Sequence, residues 1–121
     1  MKNYKVGDRV WAKEHYNIPK GFYTIRNFTN NGFFIENENG ISGSVFISGI
    51  HETADSMFKE LGFKLKETEE YYIYTLKKYT QWKIYISKKY GSYYVSLSDT
   101  SIAKSDHQAI HQKLIELGWI E

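Results

Sequence analysis

The chain of 121 residues contains no cysteine, a single proline and no long apolar run. Without thiols it can form neither disulfide bonds nor thiolate metal sites. The sequence is polar from Lys2 onward, without the apolar core of a signal peptide, and no stretch approaches the roughly 20 apolar residues of a membrane span. We therefore expect a cytoplasmic protein with no membrane partner.

Sequence motifs for catalysis are missing as well. The chain has no Gly-rich phosphate loop, no nucleophile elbow and no pair of acids at metal-ligand spacing. His107 and His111 lie four residues apart, which suits a shared metal, but a third ligand is lacking. The acidic run of Glu67, Glu69 and Glu70 is assigned to a solvated hairpin tip, because acid–base catalysis needs buried carboxylates. We predict a protein that is not an enzyme and has no metal or other cofactor.

Tyrosine, in contrast, is abundant: eleven Tyr, seven Phe and three Trp bring the aromatic share to 17%. A tyrosine side chain joins an apolar ring to a polar tip, which suits sheets with one wet face and recognition surfaces. The net charge of +2 is too small to require an anionic partner, and it argues against an acidic mimic of nucleic acid. Aromatic surfaces are therefore the first places to look for a binding function.

The first 50 residues have the pattern of short strands separated by turns. Apolar and polar residues alternate around Val10, Gly7-Asp8 indicates a bulge, and turn residues recur at 30–32 and 39–40. The predicted strands span 4–12, 22–28, 33–36 and 41–47, followed by a short 3₁₀ turn at 48–50. A strand, a long loop and three hairpin-linked strands resemble an SH3-like barrel, on the basis of Gly7-Asp8 and the turn spacing. The resemblance implies a binding module.

Two aromatic residues near the long first loop are candidate binding residues. Trp11 and Tyr16, beside His15, can line a groove for a peptide or a nucleic acid. Alternatively, Trp11 caps the barrel core and Tyr16 packs beneath the loop. The second interpretation is favoured, because large aromatic side chains in so small a barrel usually belong to the core.

The remaining residues predict a second structural unit. After a polar linker at His51-Glu52, a helix over 54–61 precedes four strands, and a capping box formed by Ser105 and Gln108 opens a final helix. The four strands are predicted at 63–66, 71–76, 82–86 and 93–97. The predicted fold class is therefore α+β, with an SH3-like β-barrel at residues 1–50 packed against an α-β-β-β-β-α unit at residues 51–121.

The sheet face turned away from the helices is the best candidate surface. Strand alternation places Trp82, Ile84 and Ile86 on one face, and it places the side chains between them on the other. The candidate binding residues of this second face, including the turn lysines at its rim, are Lys83, Tyr85, Lys88, Lys89 and Tyr94. Depending on the strand register, either Tyr71 or the pair Tyr72 and Tyr74 joins them.

Three uses of this tyrosine and lysine face are open. Aromatic rings edged with lysine form a stacking platform for single-stranded nucleic acid, where each stacked base contributes on the order of 1–3 kcal/mol. The same side chains suit a protein interface, because tyrosine is enriched among binding hot spots. The third alternative is that the face packs against the N-terminal half.

Three segments carry a resemblance to a class of proteins: residues 57–63 (MFKELGF), 70–74 (EYYIY) and 109–120 (AIHQKLIELGWI). In these segments the chain resembles small accessory proteins of prophages of low-GC Gram-positive bacteria, mostly over residues 53–121. The resemblance implies a phage protein in the cytoplasm of a host cell. It predicts binding to a host protein or ribonucleoprotein, with inhibition of a defence nuclease in the manner of an anti-CRISPR protein. A nucleic-acid-binding module is the alternative.

Overall fold

The computed structural model describes residues 3–90, 92–96 and 103–120. The protein is a small α+β protein with two antiparallel sheets and two helices in these residues. The chain divides into two units, Met1–Thr53 and Ala54–Glu121. Each unit has its own hydrophobic core.

The first unit is a five-stranded antiparallel sheet in the order β4-β3-β2-β1-β5. Strand pairing does not link β4 to β5 in the described residues, so the predicted closed barrel is not shown. The strands are β1 (Arg9–Ala12), β2 (Gly21–Phe28), β3 (Gly32–Glu36), β4 (Ser42–Phe46) and β5 (Ile50–Glu52), with a 3₁₀ turn at Ile47–Gly49 before β5.

The sequence interpretation was wrong about the first and the last strand of this unit, β1 and β5. His51-Glu52 is not a linker, because Trp11 of β1 pairs with His51 of β5. The first strand begins at Arg9 rather than near Tyr4. Gly7 has a φ of 96°, a left-handed conformation that favours glycine, and it turns the chain just before β1. β5 has only three residues, two of them polar, so the local pattern did not indicate a strand, and it forms by pairing with β1.

Alternate strand residues form the core of the first unit. Tyr23, Ile25 and Ile35 are almost fully buried, and the ring of Tyr4 packs edge-on against Phe33 at 5.6 Å. The Tyr23 hydroxyl donates a hydrogen bond of 2.7 Å to the carbonyl oxygen of Pro19, which ties the long loop to the sheet. This unit therefore has a small core of mixed aliphatic and aromatic side chains, and the Tyr23 hydroxyl anchors the loop to it.

The second unit is a four-stranded meander, β6-β7-β8-β9, with both helices on one face. Its second helix begins at Lys104 with Ala103 as the N-cap and without a side-chain capping bond, so the predicted capping box of Ser105 and Gln108 is wrong. The predicted strand end at Leu97 lies outside the described residues. The elements are α1 (Ala54–Glu60), β6 (Phe63–Glu67), β7 (Tyr71–Leu76), β8 (Lys83–Ser87), β9 (Tyr93–Val95) and α2 (Lys104–Glu116).

Aromatic stacking lies at the centre of this second core. Phe58 of α1 stacks on Tyr74 of β7 with ring centroids 3.8 Å apart and an interplanar angle of 18°. Ile84 and Ile86 of β8 lie in the same buried cluster, as does Ile110 of α2. The alternation of β8 thus directs its isoleucines to the helices and leaves its other side chains on the opposite face.

Candidate functional site

The register of the second sheet determines which tyrosines share the face away from the helices. Tyr85 of β8 pairs with Ile73 of β7 and with Tyr94 of β9. Tyr71 therefore lies on the same face as Tyr85, two residues along β7 from Ile73. Tyr72 and Tyr74 point to the helix side. The sequence left open whether Tyr71, or Tyr72 together with Tyr74, joins this face; in the structure it is Tyr71.

Three of these rings form a packed cluster, which we call the tyrosine cluster (Tyr71, Tyr85 and Tyr94). Tyr85 and Tyr94 stack with centroids 4.6 Å apart and an interplanar angle of 7°. Tyr71 stands perpendicular beside the pair, at 5.9 Å from Tyr85 and 6.0 Å from Tyr94. The three rings therefore pack against one another on this face of the sheet.

The tyrosine cluster is accessible at its outer edge. Tyr94, on the edge strand, is 51% exposed, whereas Tyr71 and Tyr85 are half-buried. Desolvation raises the pKa of Tyr94, and the nearby phenols of Tyr71 and Tyr85 and a hydrogen bond with Tyr71 raise it further. Tyrosine is protonated at neutral pH even at its ordinary pKa of 10.0, and the raised pKa moves the ionisation of Tyr94 further above neutral.

Lysine is the only charged residue type at the strand positions of this face within the described residues. Lys66 of β6 pairs with Ile73, and both Lys64 of β6 and Lys83 of β8 pair with Thr75. Acidic residues instead occupy the β6–β7 turn, where Glu69 and Glu70 are exposed. The face thus has an aromatic part and a cationic end.

Lys88, a predicted member of the site, is not beside the tyrosine cluster. Its Nζ forms an ion pair of 2.6 Å with Glu67 Oε2 and lies 5.0 Å from the ring centroid of Tyr72, which is on the helix side of the sheet. Lys89 is exposed in the turn after β8. Lys66 and Lys64, which sequence reasoning missed, share the face of the cluster by strand alternation.

The two candidate residues of the first unit, Trp11 and Tyr16, differ in their exposure to solvent. Trp11 is 8% exposed and packs edge-on against Phe22 at 5.0 Å. Tyr16 is 93% exposed, so the expectation that it packs beneath its loop is wrong. Its φ of 39° is unusual for a residue with a side chain. Backbone hydrogen bonds between His15 and Ile18 close the tight turn that projects Tyr16 outward.

The first unit also exposes apolar residues that sequence reasoning did not select. Phe34 of β3 alternates with the buried Phe33 and Ile35, and its place on the outer face follows from that alternation. Phe46, which pairs with Gly32 at the end of β4, is 57% exposed. Alternation within a half-buried strand is the sequence signal that would have identified these residues.

Buried carboxyl groups in the second unit have structural partners. Glu116 Oε2 accepts hydrogen bonds from the backbone N–H of Ala54 at 2.7 Å and from Gln112 Nε2 at 3.1 Å, so it caps the start of α1. Burial raises the pKa of Glu116 and likewise that of Asp106.

The described residues contain no group of three or more histidine or acidic side chains that could hold a metal ion.

The raised pKa of Glu116 predicts a pH-dependent stability. A carboxyl group with a higher pKa in the folded state binds its proton more tightly there, so stability is greatest below the ordinary value of 4.5 and falls as pH rises above it. Glu116→Gln should keep an acceptor for the Ala54 N–H and reduce this fall. Urea unfolding measured at several pH values tests the prediction, and an unchanged pH dependence in the variant would contradict it.

None of the helices in residues 3–90, 92–96 and 103–120 is long and apolar enough to cross a membrane. When the chain was compared with protein-family models, curated proteins and solved structures, it matched none of them.

Proposed function

We propose that this chain is a non-enzymatic binding protein that docks a host macromolecule through the tyrosine cluster. The observation that carries this proposal is the stacked pair of Tyr85 and Tyr94 on the sheet face opposite the helices, with half of Tyr94 exposed. Rings already held in place lose little conformational freedom on binding, which favours affinity. Each ring offers apolar area together with a hydroxyl group.

The geometry of the rings favours a protein partner over stacked bases. Tyr85 and Tyr94 cover one face of each other, which reduces the open ring faces on which bases can stack. The ring edges and hydroxyl groups of the cluster suit the apolar and hydrogen-bonding contacts of a protein interface. The leading proposal is therefore a host protein, or the protein part of a ribonucleoprotein.

Single-stranded nucleic acid is the second candidate, and the charge of the face supports it. Lys64, Lys66 and Lys83 lie on this face, and its strand positions hold no carboxylate in the described residues. Lysine side chains contact phosphates and make binding fall steeply with added salt. A protein partner docked on ring edges would show a weaker salt dependence.

Two finer assignments are part of the proposal. A strand, a long loop and three hairpin-linked strands, followed by a 3₁₀ turn, support an SH3-like arrangement of the first unit. The phage origin and the inhibition of a defence nuclease, as by an anti-CRISPR protein, are supported by the sequence resemblance in the second unit. A plaque or interference assay in a host with an active defence nuclease tests the inhibition, and full nuclease activity in the presence of the protein would reject it.

Capture from a bacterial lysate tests the proposed surface. The wild-type protein should retain a partner that Tyr94→Ala loses, with an affinity lower by about 30-fold for a hot-spot residue. Tyr93→Ala is the matched control, because Tyr93 lies on the same strand with its side chain on the opposite face. A thermal melt of each variant confirms folding.

Treatment of the lysate with nucleases separates the two candidates. A partner still retained after the treatment is a protein, whereas its loss, together with direct binding of a single-stranded oligonucleotide that weakens with salt, supports nucleic acid. Equal retention by wild type and the folded Tyr94→Ala variant would reject the tyrosine cluster as the binding surface.

A further inference from the structure

A cavity of about 460 Å³ opens in the second unit, away from the tyrosine cluster. Phe58 of α1 and Phe63 of β6 line it, together with Leu65 of β6 and Tyr74 of β7. Its volume is within the range of about 300–1,000 Å³ that is usual for small-molecule sites. Leu65 is 37% exposed on a strand that ends the sheet, so the cavity is reached from the free edge of β6.

The charge around this cavity is positive. Lys59 of α1, Lys64 of β6 and Lys77, just after β7, line it, and all three are exposed. None of them forms an ion pair within the part of the chain that the structure describes. The one carboxylate in the lining, Asp55, accepts a hydrogen bond of 2.6 Å from the Tyr74 hydroxyl and lies 3.2 Å from Lys113 Nζ. Because Asp55 is paired with Lys113, the three lysines leave the described lining with an excess of positive charge.

We infer that this cavity binds a small amphipathic anion, with an apolar body against Leu65 and the small exposed parts of Phe58 and Phe63 and a carboxylate between Lys59 and Lys77. The apolar walls supply affinity for a chain or a ring, since buried apolar area contributes about 25 cal/mol per Å². The ammonium groups act as point charges without a fixed geometry, so they fit a simple carboxylate. The inference does not rest on the tyrosine cluster, because none of its three tyrosines lines the cavity; within the described residues the cavity shares Lys64 with the opposite face.

Binding of sodium octanoate to the isotopically labelled full chain, followed by NMR, tests this inference. Octanoate should shift the amide signals of residues 58–65 and 74–77 in a saturable way. Octanol, which has the same apolar length without the charge, should bind at least several-fold more weakly. Equal binding of octanol and octanoate, or shifts located elsewhere in the chain, would overturn the inference.

Substitutions locate the two parts of the site. Lys59→Ala/Lys77→Ala should weaken octanoate binding by about tenfold, since each exposed charge contributes modestly in water. Lys5→Ala/Lys20→Ala removes two exposed lysines of the first unit and should leave the affinity unchanged. Leu65→Asp adds a negative charge to a half-exposed wall position and should abolish binding while the dispersed spectrum of the fold persists. The same loss in both lysine pairs would show that only net charge matters, and unaltered binding by Leu65→Asp would contradict the assigned cavity.

Discussion

Phe58→Ala is expected to destabilise the second unit by about 3–5 kcal/mol, because it removes a large buried ring and leaves a cavity that the surroundings fill only partly. Phe58 is 1% exposed, stacks on Tyr74 and meets Phe63 edge-on at 5.5 Å. A unit of this size has a total free energy of unfolding of only about 3–10 kcal/mol. The substitution should therefore unfold this unit, or nearly so.

Calorimetry and chemical unfolding measure this effect. Phe28→Ala is the matched control, since Phe28 is 54% exposed in the first unit and its loss should change stability by less than about 1 kcal/mol. Trp82, 6% exposed in the second unit, reports the unfolding of that unit by fluorescence. If Phe58→Ala is no less stable than Phe28→Ala, the stacked core is not what holds the second unit together.

Alkaline unfolding of the second unit is the other large expected effect. Burial raises the pKa of Tyr74 far above its ordinary value of 10.0, and the nearby carboxylate of Asp55 raises it further. The folded state keeps this proton while the unfolded chain loses it, so stability is complete below pH 10 and falls as pH rises beyond it. The free energy of unfolding should fall by about 1.4 kcal/mol for each pH unit above 10, or by about 2.7 kcal/mol at pH 12.

Tyr74→Phe isolates this contribution. The variant lacks the hydrogen bond to Asp55, so its free energy of unfolding at neutral pH should be lower by about 1 kcal/mol. Above pH 10 it should lose less stability than the wild type, because it has no buried phenol to ionise. Parallel alkaline unfolding curves for the two proteins would show that Tyr74 is not the group responsible.

Local patterns in the sequence were sufficient for much of the fold. Alternation placed Ile84 and Ile86 on the buried face of β8, and the asparagine and glycine turns marked the hairpins of the first sheet. β5 was not predictable in this way, because only three residues pair with β1 and two of them are polar. The start of α2 was also misplaced, since Ala103 caps it without a side-chain bond.

The candidate surface was predictable only in part. Tyr85 and Tyr94 could be placed on one face by alternation, but the membership of Tyr71 depended on the register between β7 and β8, which no local pattern gives. The turn residue Lys88 was misjudged because its ion pair with Glu67 joins residues far apart in sequence. Strand alternation determines the face on which a side chain lies, but it does not apply in a turn, where Lys88 is oriented by its ion pair with Glu67.

Hydroxyl-radical footprinting of the free protein and of the protein bound to its captured partner tests the tyrosine cluster most directly. Oxidation of Tyr94, 51% exposed in the free chain, should decrease strongly in the complex. Tyr16, 93% exposed in the first unit, should be oxidised equally in both states. Unchanged oxidation of Tyr94 together with protection of Tyr16 would contradict docking through the tyrosine cluster and would place the partner on the first unit instead.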